Sequence, residues 1–336
     1  METDRWAGKT VLVTGGMGFI GSHFVEELLA REARVISVHR REVPSGLDPR
    51  PRLRTLRLDL LDYAELRAAC RYVAPRLDAI VHCAALDGNT EFKLRHSAQI
   101  LDANLRIGSN VLNCAREYDV PDVVLMGSAE VYAGTSETPR REDDDYRRDM
   151  RYTANGYLLS KTFLEILAEL HREQFGMRIF VPRPTNVYGP RDWPVPGSGR
   201  VIPTMLRRIR SGGPVEIWGD GSQSRTFVHV HDLVRATLRM VESRRHSTMN
   251  IGTDEPVSVL ALAQLLFRLT GRPELIQRNP DKPTGAPNRV LDLSRMKETI
   301  GFSPRPLLLG LRETVAWLDD HERAMSGDTA ARTAAA

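Results

Sequence analysis

Short β-branched runs alternate with longer amphipathic stretches through the first 130 residues of the chain. Apolar runs bounded by turns predict buried strands, and apolar residues three or four positions apart predict helices. The predicted strands span residues 10–14, 34–39, 53–58, 78–82 and 123–126, and the clearest predicted helices span 19–31 and 97–118. Strands that alternate with helices at this spacing predict a doubly wound parallel sheet of Rossmann type, the α/β fold class.

The pattern changes after residue 130. A densely charged stretch, 137–151, predicts a surface loop, and residues 155–175 and 178–181 predict a further helix and a sixth strand. From Arg183 onward Pro and Gly are more frequent and the segments shorten. We therefore predict a dinucleotide-binding domain over 1–182 and a smaller, mainly substrate-binding lobe over 183–320, some of whose segments return to the sheet. The Ala-, Thr- and Arg-rich end, 321–336, is predicted to be a disordered tail.

Composition narrows the class of protein. With 336 residues, of which 41% are apolar, the chain is long enough for about two domains. It contains no apolar run of about 18 residues, so the sequence predicts no membrane span. The three cysteines all fall on predicted helices or strands, which excludes a disulfide framework and a thiolate zinc site. We expect a cytoplasmic protein without a metal.

The positive charge is small and dispersed. The chain carries 47 basic and 43 acidic residues, a net charge of +4, and only five of the basic residues are lysines. The arginines are spread along the chain, whereas a nucleic-acid-binding protein concentrates its charge on one face. Nucleic acid is therefore not a predicted partner, although single arginines could bind anionic small ligands.

A glycine-rich loop follows the first predicted strand and opens the first helix. Gly15, Gly18 and Gly21 are spaced three apart, and Phe19 and Ile20 lie between the last two. A dinucleotide requires a sharp turn, close approach of its pyrophosphate to the backbone, and tight packing of helix on sheet, which side chains would obstruct. The free N–H groups of the helix N-terminus favour the phosphates. The loop therefore predicts a nicotinamide dinucleotide site.

The end of the second strand carries the residues that distinguish NADP from NAD. An acidic residue here would bind the 2′-hydroxyl of the adenosine ribose and select NAD. The chain has His39, Arg40 and Arg41 instead, and these suit a 2′-phosphate. NADP is therefore favoured, with NAD as the alternative. Asp59 and Leu60, after the third strand, and Ala84, after the fourth, are further predicted cofactor contacts.

A tyrosine and a lysine one helical turn apart suggest acid–base chemistry. Tyr157 and Lys161 share a helix face, and an ammonium group lowers the pKa of a neighbouring phenol. Such a pair suits the interconversion of an alcohol and a ketone. Alone, this spacing is also typical of a solvated helix face. Ser128 favours the catalytic interpretation, because it follows the fifth strand at the sheet edge where α/β proteins bind ligands.

Three segments together, 14–21, 127–132 and 157–161, resemble the extended short-chain dehydrogenases/reductases of the nucleotide-sugar epimerase/dehydratase family. The resemblance extends over residues 9 to about 320. It implies that Tyr157 is the acid/base and that Lys161 lowers the pKa of Tyr157 and holds the nicotinamide ribose. It also implies that Ser128 orients a hydroxyl of a nucleotide-sugar substrate.

The second half is most similar to the GDP-L-fucose synthases, through residues 184–190, 225–232 and 250–252. This likeness implies that Asn186 and Val201 line the nucleotide-sugar site. It also implies that Arg225 and Arg289 hold the pyrophosphate, for which guanidinium groups are suited. The alternative for either arginine is a surface ion pair.

Two positions depart from those synthases. Their cysteine, two residues after the serine, is Glu130 here, and their histidine is Arg191. A glutamate at this position is similar to sugar 4,6-dehydratases and nucleotide-sugar decarboxylases, although the aspartate of many dehydratases is replaced by Ala129. Glu130 is therefore a candidate catalytic base. The alternative is a glutamate paired with a nearby arginine such as Arg191.

These residues predict NAD(P)-dependent modification of a nucleotide sugar through a 4-keto species. We favour an epimerase, with a 4-keto-sugar reductase and a 4,6-dehydratase as alternatives and a non-catalytic NADP-binding sensor as a remote one. Relatives often form homodimers through helices that match 97–118 and 155–175. A homodimer is therefore a further expectation, although the apolar faces of these helices are equally explained by the core.

Overall fold

The computed structural model describes residues 4–40, 50–73, 77–132, 139–144, 155–193, 199–282 and 288–334. The strands are β1 (Thr10–Thr14), β2 (Arg34–His39), β3 (Leu53–Arg57), β4 (Ala79–His82), β5 (Asp122–Leu125), β6 (Arg178–Pro184), β7 (Asn186–Tyr188), β8 (Val215–Trp218), β9 (Ser224–Arg225), β10 (Phe227–His229), β11 (Thr248–Ile251), β12 (Val257–Ser258), β13 (Ile276–Asn279) and β14 (Asn288–Arg289). The helices are α1 (Phe19–Ala30), α2 (Tyr63–Val73), α3 (Thr90–Arg95), α4 (Ser97–Glu117), α5 (Gly156–Phe175), α6 (Val201–Arg210), α7 (Val230–Ser243), α8 (Val259–Thr270), α9 (Ser294–Ile300) and α10 (Leu307–Ala334).

Seven parallel strands form the main sheet, in the order β11-β6-β5-β4-β1-β2-β3. The predicted fold class is confirmed, and the six predicted strands are present with small differences at their ends. The largest difference is at β6, which continues to Pro184 instead of ending at residue 181. The strand order reverses between β1 and β4, and ligands of such sheets bind in the crevice at that point.

Helices cover both faces of the sheet. Val11 and Val13 on β1 point to the face covered by α1, α7 and α9, whereas Leu12 points to the face covered by α2, α4 and α5. This alternation follows from the two-residue period of a strand. All three of these β1 side chains are at most 2% exposed, which explains why the centre of β1 is continuously apolar in sequence.

A second, smaller core belongs to the lobe that follows β6. It contains apolar residues of α6, β8, α8 and α10 together with Tyr188 and Phe227. The elements α7, β11 and α9 come from the same half of the chain but pack in the main-sheet core. The two halves of the sequence therefore share the main core, and the lobe is built from α6, β8, α8 and α10.

Two predicted segments differ from their descriptions above. Helix α10 continues to Ala334, into the predicted tail 321–336. His321 lies one turn after Trp317, and its ring stacks on Trp317 at 5.6 Å and contacts Trp193 at 4.5 Å. Within the predicted surface loop 137–151 only residues 139–144 are described, and Glu142 is buried, accepting the Asn250 N–H at 2.8 Å.

Among the described residues, none of the helices combines the length and apolarity needed to cross a membrane.

Candidate active site

The glycine loop leaves room for a phosphate at the N-terminus of α1. Gly15 has φ +66°, and a Cβ there would lie 2.9 Å from the Ala84 nitrogen; a Cβ on Gly21 would collide with the Gly15 carbonyl oxygen. Helix α1 begins at Gly18, which supplies no side-chain cap, and its first turn, with Phe19 and Ile20, contains no acidic residue. The free N–H groups therefore fit the pyrophosphate of a dinucleotide.

The edge where β2 and β3 end carries two basic residues. Arg40 is exposed directly after β2, and the Arg57 Nε donates to the Arg40 carbonyl oxygen at 3.4 Å. Arg57 was not predicted as a site residue, although a basic residue ending the third strand was visible in the sequence. Arg41 lies outside the described residues. The two described arginines suit a 2′-phosphate.

The loops after β3 and β4 are tied down by hydrogen bonds. The half-buried Asp59 accepts the Leu61 N–H through Oδ1 at 3.0 Å, and Leu60 is buried. The Ala84 N–H donates to Thr14 Oγ1 at 3.3 Å. The predicted cofactor residues of both loops therefore lie beside the ends of β1, β3 and β4, at the switch-point edge.

Ser128, Tyr157 and Lys161 come together at the carboxyl end of β5. The buried Lys161 Nζ donates to the Met126 carbonyl oxygen at 2.6 Å and lies 5.6 Å from the centre of the Tyr157 ring. The Ser128 hydroxyl lies close enough to the Tyr157 phenol to lower its pKa. Helix α5 holds the tyrosine and lysine on one face, and its first turn is capped by Asn155, which accepts the Leu158 N–H at 3.2 Å.

The charge environment of Tyr157 differs from the sequence-based expectation. Burial raises the pKa of Tyr157 well above its usual value, and the carboxylates of Asp87 and Glu130 add to this, against smaller opposing effects of Arg200 and Ser128. That Lys161 lowers this pKa, as the resemblance implies, stays a prediction. Burial also lowers the pKa of Lys161, whose ammonium is directed at the Met126 carbonyl. The phenol is therefore protonated at neutral pH.

Glu130 lies in the site with both carboxylate oxygens engaged. It belongs to a 3₁₀ turn, Ala129–Tyr132, after Ser128. Its Oε1 lies 2.5 Å from Lys93 Nζ, and its Oε2 accepts from Asn155 Nδ2 at 3.4 Å. The suggested ionic partner, Arg191, pairs with Glu26 at 2.8 Å instead. Lys93 was missed, although it is one of only five lysines.

The predicted substrate residues lie in the lobe or at its junction with the sheet. The exposed Asn186 donates from Nδ2 to the Thr226 carbonyl oxygen at 2.9 Å, and Val201 begins α6. Parallel pairing of β9 and β14 places Arg225 in register with Arg289. The structure therefore brings the two arginines of the predicted pyrophosphate clamp onto neighbouring strands.

Arg200 connects the lobe to the cofactor loop and was not predicted. It directly precedes α6, and its Nη1 pairs with the buried Asp192 at 2.6 Å. Its guanidinium lies 5.0 Å from the centre of the Phe19 ring. The sequence did contain a signal for Arg200, which directly precedes the predicted substrate residue Val201. Arg200 adds positive charge on the lobe side of the cleft.

A group of possible metal ligands lies between β10 and α10. Ligand atoms of His229, His231 and Glu313 lie within 4.8 Å of one another. The same Glu313 carboxylate accepts from Arg305 Nη1, whose charge opposes a metal cation. The His229 Nδ1 accepts the His231 N–H at 3.4 Å, so the proton of the neutral ring is on Nε2, the atom that would have to bind. This group does not fit a metal site.

Comparison with known proteins identifies the family. The model of the NAD dependent epimerase/dehydratase family matches residues 11–252. The chain belongs to this family. It is 53% identical to a dTDP-4-dehydro-6-deoxy-D-allose reductase of Streptomyces bikiniensis, over 96% of this chain and 100% of that protein.

Two further comparisons show how similar the chain is to other sugar-modifying enzymes. The chain is 26% identical to the GDP-L-fucose synthase of Escherichia coli K12, over 94% of this chain and 98% of that protein. It superposes with a TM-score of 0.81 on a dTDP-glucose 4,6-dehydratase of Streptomyces venezuelae solved with NAD, at 26% identity, covering 93% of this chain and 97% of that one. The similarity to GDP-L-fucose synthases is thus present but weaker than that to the reductase. The protein is an NAD(P)-dependent sugar-modifying enzyme of extended short-chain dehydrogenase type.

Proposed function

We propose that this enzyme reduces the 4-keto group of a nucleotide-activated 6-deoxy sugar. The sequence favoured an epimerase and kept the reductase as an alternative. Full-length similarity at 53% identity to a dTDP-4-dehydro-6-deoxy-D-allose reductase supports that alternative better, and supports dTDP rather than GDP as the nucleotide.

The observation that carries the proposal is the ion pair between Lys93 and Glu130. Epimerisation beside the ketone and 4,6-elimination both need a base that removes a hydrogen from a neighbouring carbon. Glu130 is the carboxylate placed closest to Ser128 in the chain, and its Oε1 is held 2.5 Å from Lys93 Nζ. Reduction at carbon 4 needs no such base, and neither does 4-epimerisation, so a paired Glu130 argues against a dehydratase or an epimerase beside the ketone. The similarity to the reductase then favours reduction over 4-epimerisation.

The state of Tyr157 also fits reduction. Reduction of a ketone requires a proton donor at its oxygen, and burial raises the pKa of Tyr157, which keeps the phenol protonated. Ser128 lies beside the phenol, where its hydroxyl could orient the same carbonyl oxygen. A bound NAD(P)H supplies the hydride for carbon 4. Tyr157 then gives its proton to the oxygen that becomes the hydroxyl.

We propose NADPH as the preferred form of the cofactor. Arg40 is exposed at the end of β2, and Arg57 donates to its carbonyl oxygen at 3.4 Å. Two guanidinium groups at this edge suit a 2′-phosphate, and Arg40 stands where an NAD-selecting acid would be.

We also propose a homodimer that forms through α4 and α5. Helix α5 carries three large apolar side chains, Phe163, Leu170 and Phe175, that are 44%, 53% and 43% exposed. Light scattering coupled to gel filtration is expected to give twice the 37.8 kDa mass of the chain. A single-chain mass would contradict this part of the proposal.

The test of the activity is incubation with dTDP- and GDP-linked 4-keto-6-deoxy sugars and NADPH in deuterated water. We expect NADPH oxidation with the dTDP sugar and a product whose carbons 3 and 5 carry no deuterium. Deuterium at either carbon without NADPH consumption would show a dehydratase or an epimerase that acts beside the ketone. Tight NADPH binding without turnover of any sugar would favour a non-catalytic sensor.

A further inference from the structure

Lys93 is almost completely buried beside the candidate active site. It is 7% exposed on α3, a six-residue helix that begins at Asn89 in the loop after β4. Asn89 Oδ1 accepts the Phe92 N–H at 2.8 Å, and a Cβ on Gly88 would meet the Phe92 ring at 2.5 Å, so helix and loop fit closely. Lysines are rarely buried unless their ammonium is paired, so the partners of Lys93 define its role.

Two carboxylates and one aromatic ring surround the Lys93 ammonium. Nζ lies 2.5 Å from Glu130 Oε1 and 3.1 Å from Asp87 Oδ1. It also lies 3.9 Å from the centre of the Tyr157 ring, closer than Lys161 Nζ at 5.6 Å. The ammonium therefore stands between the proton donor of the site and the carboxylate that follows Ser128.

We propose that Lys93 prevents Glu130 from acting as a base. A ketone bound at Tyr157 is then reduced while its neighbouring C–H bonds stay intact. This inference rests on the proposed reduction of a 4-keto sugar. The hydrogens on carbons 3 and 5 of such a sugar are acidic, because their removal gives an enolate. If Glu130 took up a proton, Lys93 would lose one of its two anionic partners at a buried position, which opposes the uptake.

The suppressed step can be written in full. A C–H bond next to the ketone breaks, the proton moves to the Glu130 carboxylate, and the electron pair of the bond moves through the new double bond onto the carbonyl oxygen. Glu130 then releases its proton to the solvent, a deuteron from solvent adds to the carbon, and the electron pair returns from the oxygen to restore the ketone. The net result is exchange of hydrogen for deuterium without any oxidation or reduction.

The experiment measures this exchange by proton NMR with the dTDP-4-dehydro-6-deoxy sugar and NADP⁺ in deuterated water, so that reduction does not consume the sugar. We expect the wild-type protein to exchange carbons 3 and 5 no faster than an enzyme-free control. Lys93→Met, which keeps length and removes charge, should exchange at least about ten-fold faster, a small part of what a general base usually contributes. Lys93→Arg keeps the charge and should stay near wild type.

The double variant Lys93→Met/Glu130→Gln identifies the base and should return to the control rate. Fast exchange by the wild type, or continued exchange in the double variant, would overturn the proposal. So would an unchanged rate in Lys93→Met with sugar binding confirmed by calorimetry. If Lys93→Met does not fold, Lys93→Gln keeps a donor to Glu130 without charge and is judged by the same outcomes. Failure of the wild type to oxidise NADPH with this sugar would instead contradict the proposed function.

Discussion

The ammonium nitrogen of Lys161 lies 2.6 Å from the carbonyl oxygen of Met126, the first residue after β5. This hydrogen bond ties α5 to the sheet edge, so Tyr157, one turn earlier on the helix, is placed beside Ser128 in the loop after the same strand. This contact and the buried Glu165–Arg183 pair both join α5 to the sheet and help to align the three side chains. Their alignment follows from the fold before any ligand is bound.

Replacement of Tyr157 by Phe removes the proton donor and keeps the ring. We expect kcat for the 4-keto sugar to fall by about 10²–10⁴-fold, the usual contribution of general acid catalysis, with little change in NADPH affinity. Steady-state kinetics and fluorescence titration of NADPH measure the two quantities. Tyr72→Phe, an exposed tyrosine on α2, is the matched control. A Tyr157→Phe enzyme with more than half of wild-type kcat would contradict the assigned role.

The pKa of Tyr157 sets the alkaline limit of the reaction. The phenol donates a proton only while protonated, and burial raises its pKa well above the usual value of about 10. The donor form is therefore complete below that pKa and is lost only as pH rises through it. We expect kcat/KM for the sugar to be flat from about pH 7 to about pH 9. A decline with a midpoint near neutral pH would show instead that Lys161 lowers the pKa.

The fold could be predicted from the sequence because the sequence patterns that indicate it are local. Val11, Leu12 and Val13 are buried on both faces and form an apolar run, and the loop ending at Gly21 needs glycines for close backbone approach. The continuation of α10 past residue 320 was missed; the contact of His321 with Trp193 joins residues far apart in the chain.

The site could be predicted from the sequence only in part, because only its local signals can be recognised there. Tyr157, Lys161 and Ser128 sit at recognisable spacings after predicted elements. The partner of Glu130 was not found, because Lys93 is 37 residues away and reaches it only through the packing of α3 against the loop after β5. The raised pKa of Tyr157 could not be read from sequence either, because burial and the charges of Asp87 and Glu130 cause it.

Arg40→Ala tests the choice of cofactor. Loss of a guanidinium at the end of β2 should weaken binding of NADPH more than binding of NADH, because only the former has a 2′-phosphate for a charge-assisted hydrogen bond. Calorimetric titration with both cofactors measures the difference, and Arg71→Ala on the exposed end of α2 is the control for a lost surface charge. Equal losses for the two cofactors, or tighter NADH binding by the parent, would contradict NADPH preference.

Arg183 and Glu165 form a buried ion pair behind the catalytic loop. Both side chains are 4% exposed, and Arg183 Nη2 lies 2.6 Å from Glu165 Oε2. Arg183 Nη1 also donates to the Tyr132 hydroxyl at 2.6 Å. A Cβ on Gly127 would lie 3.0 Å from Glu165 Oε1, so the pair is packed directly against the residue before Ser128.

Arg183→Met should therefore destabilise the protein strongly. Removal of one partner leaves the Glu165 carboxylate buried without its cation, and such changes cost about 3–5 kcal/mol of unfolding free energy, measurable by urea denaturation. Arg183→Met/Glu165→Leu should recover part of this loss, because neither charge of the pair is then left buried without its partner. Arg178→Met is the control: Arg178 is 45% exposed, and its partner Asp122 also pairs with Arg5 and Arg244, so we expect a loss below about 1 kcal/mol. Equal losses of unfolding free energy in Arg183→Met and Arg178→Met would show that burial does not determine how much the Arg183–Glu165 pair contributes to stability.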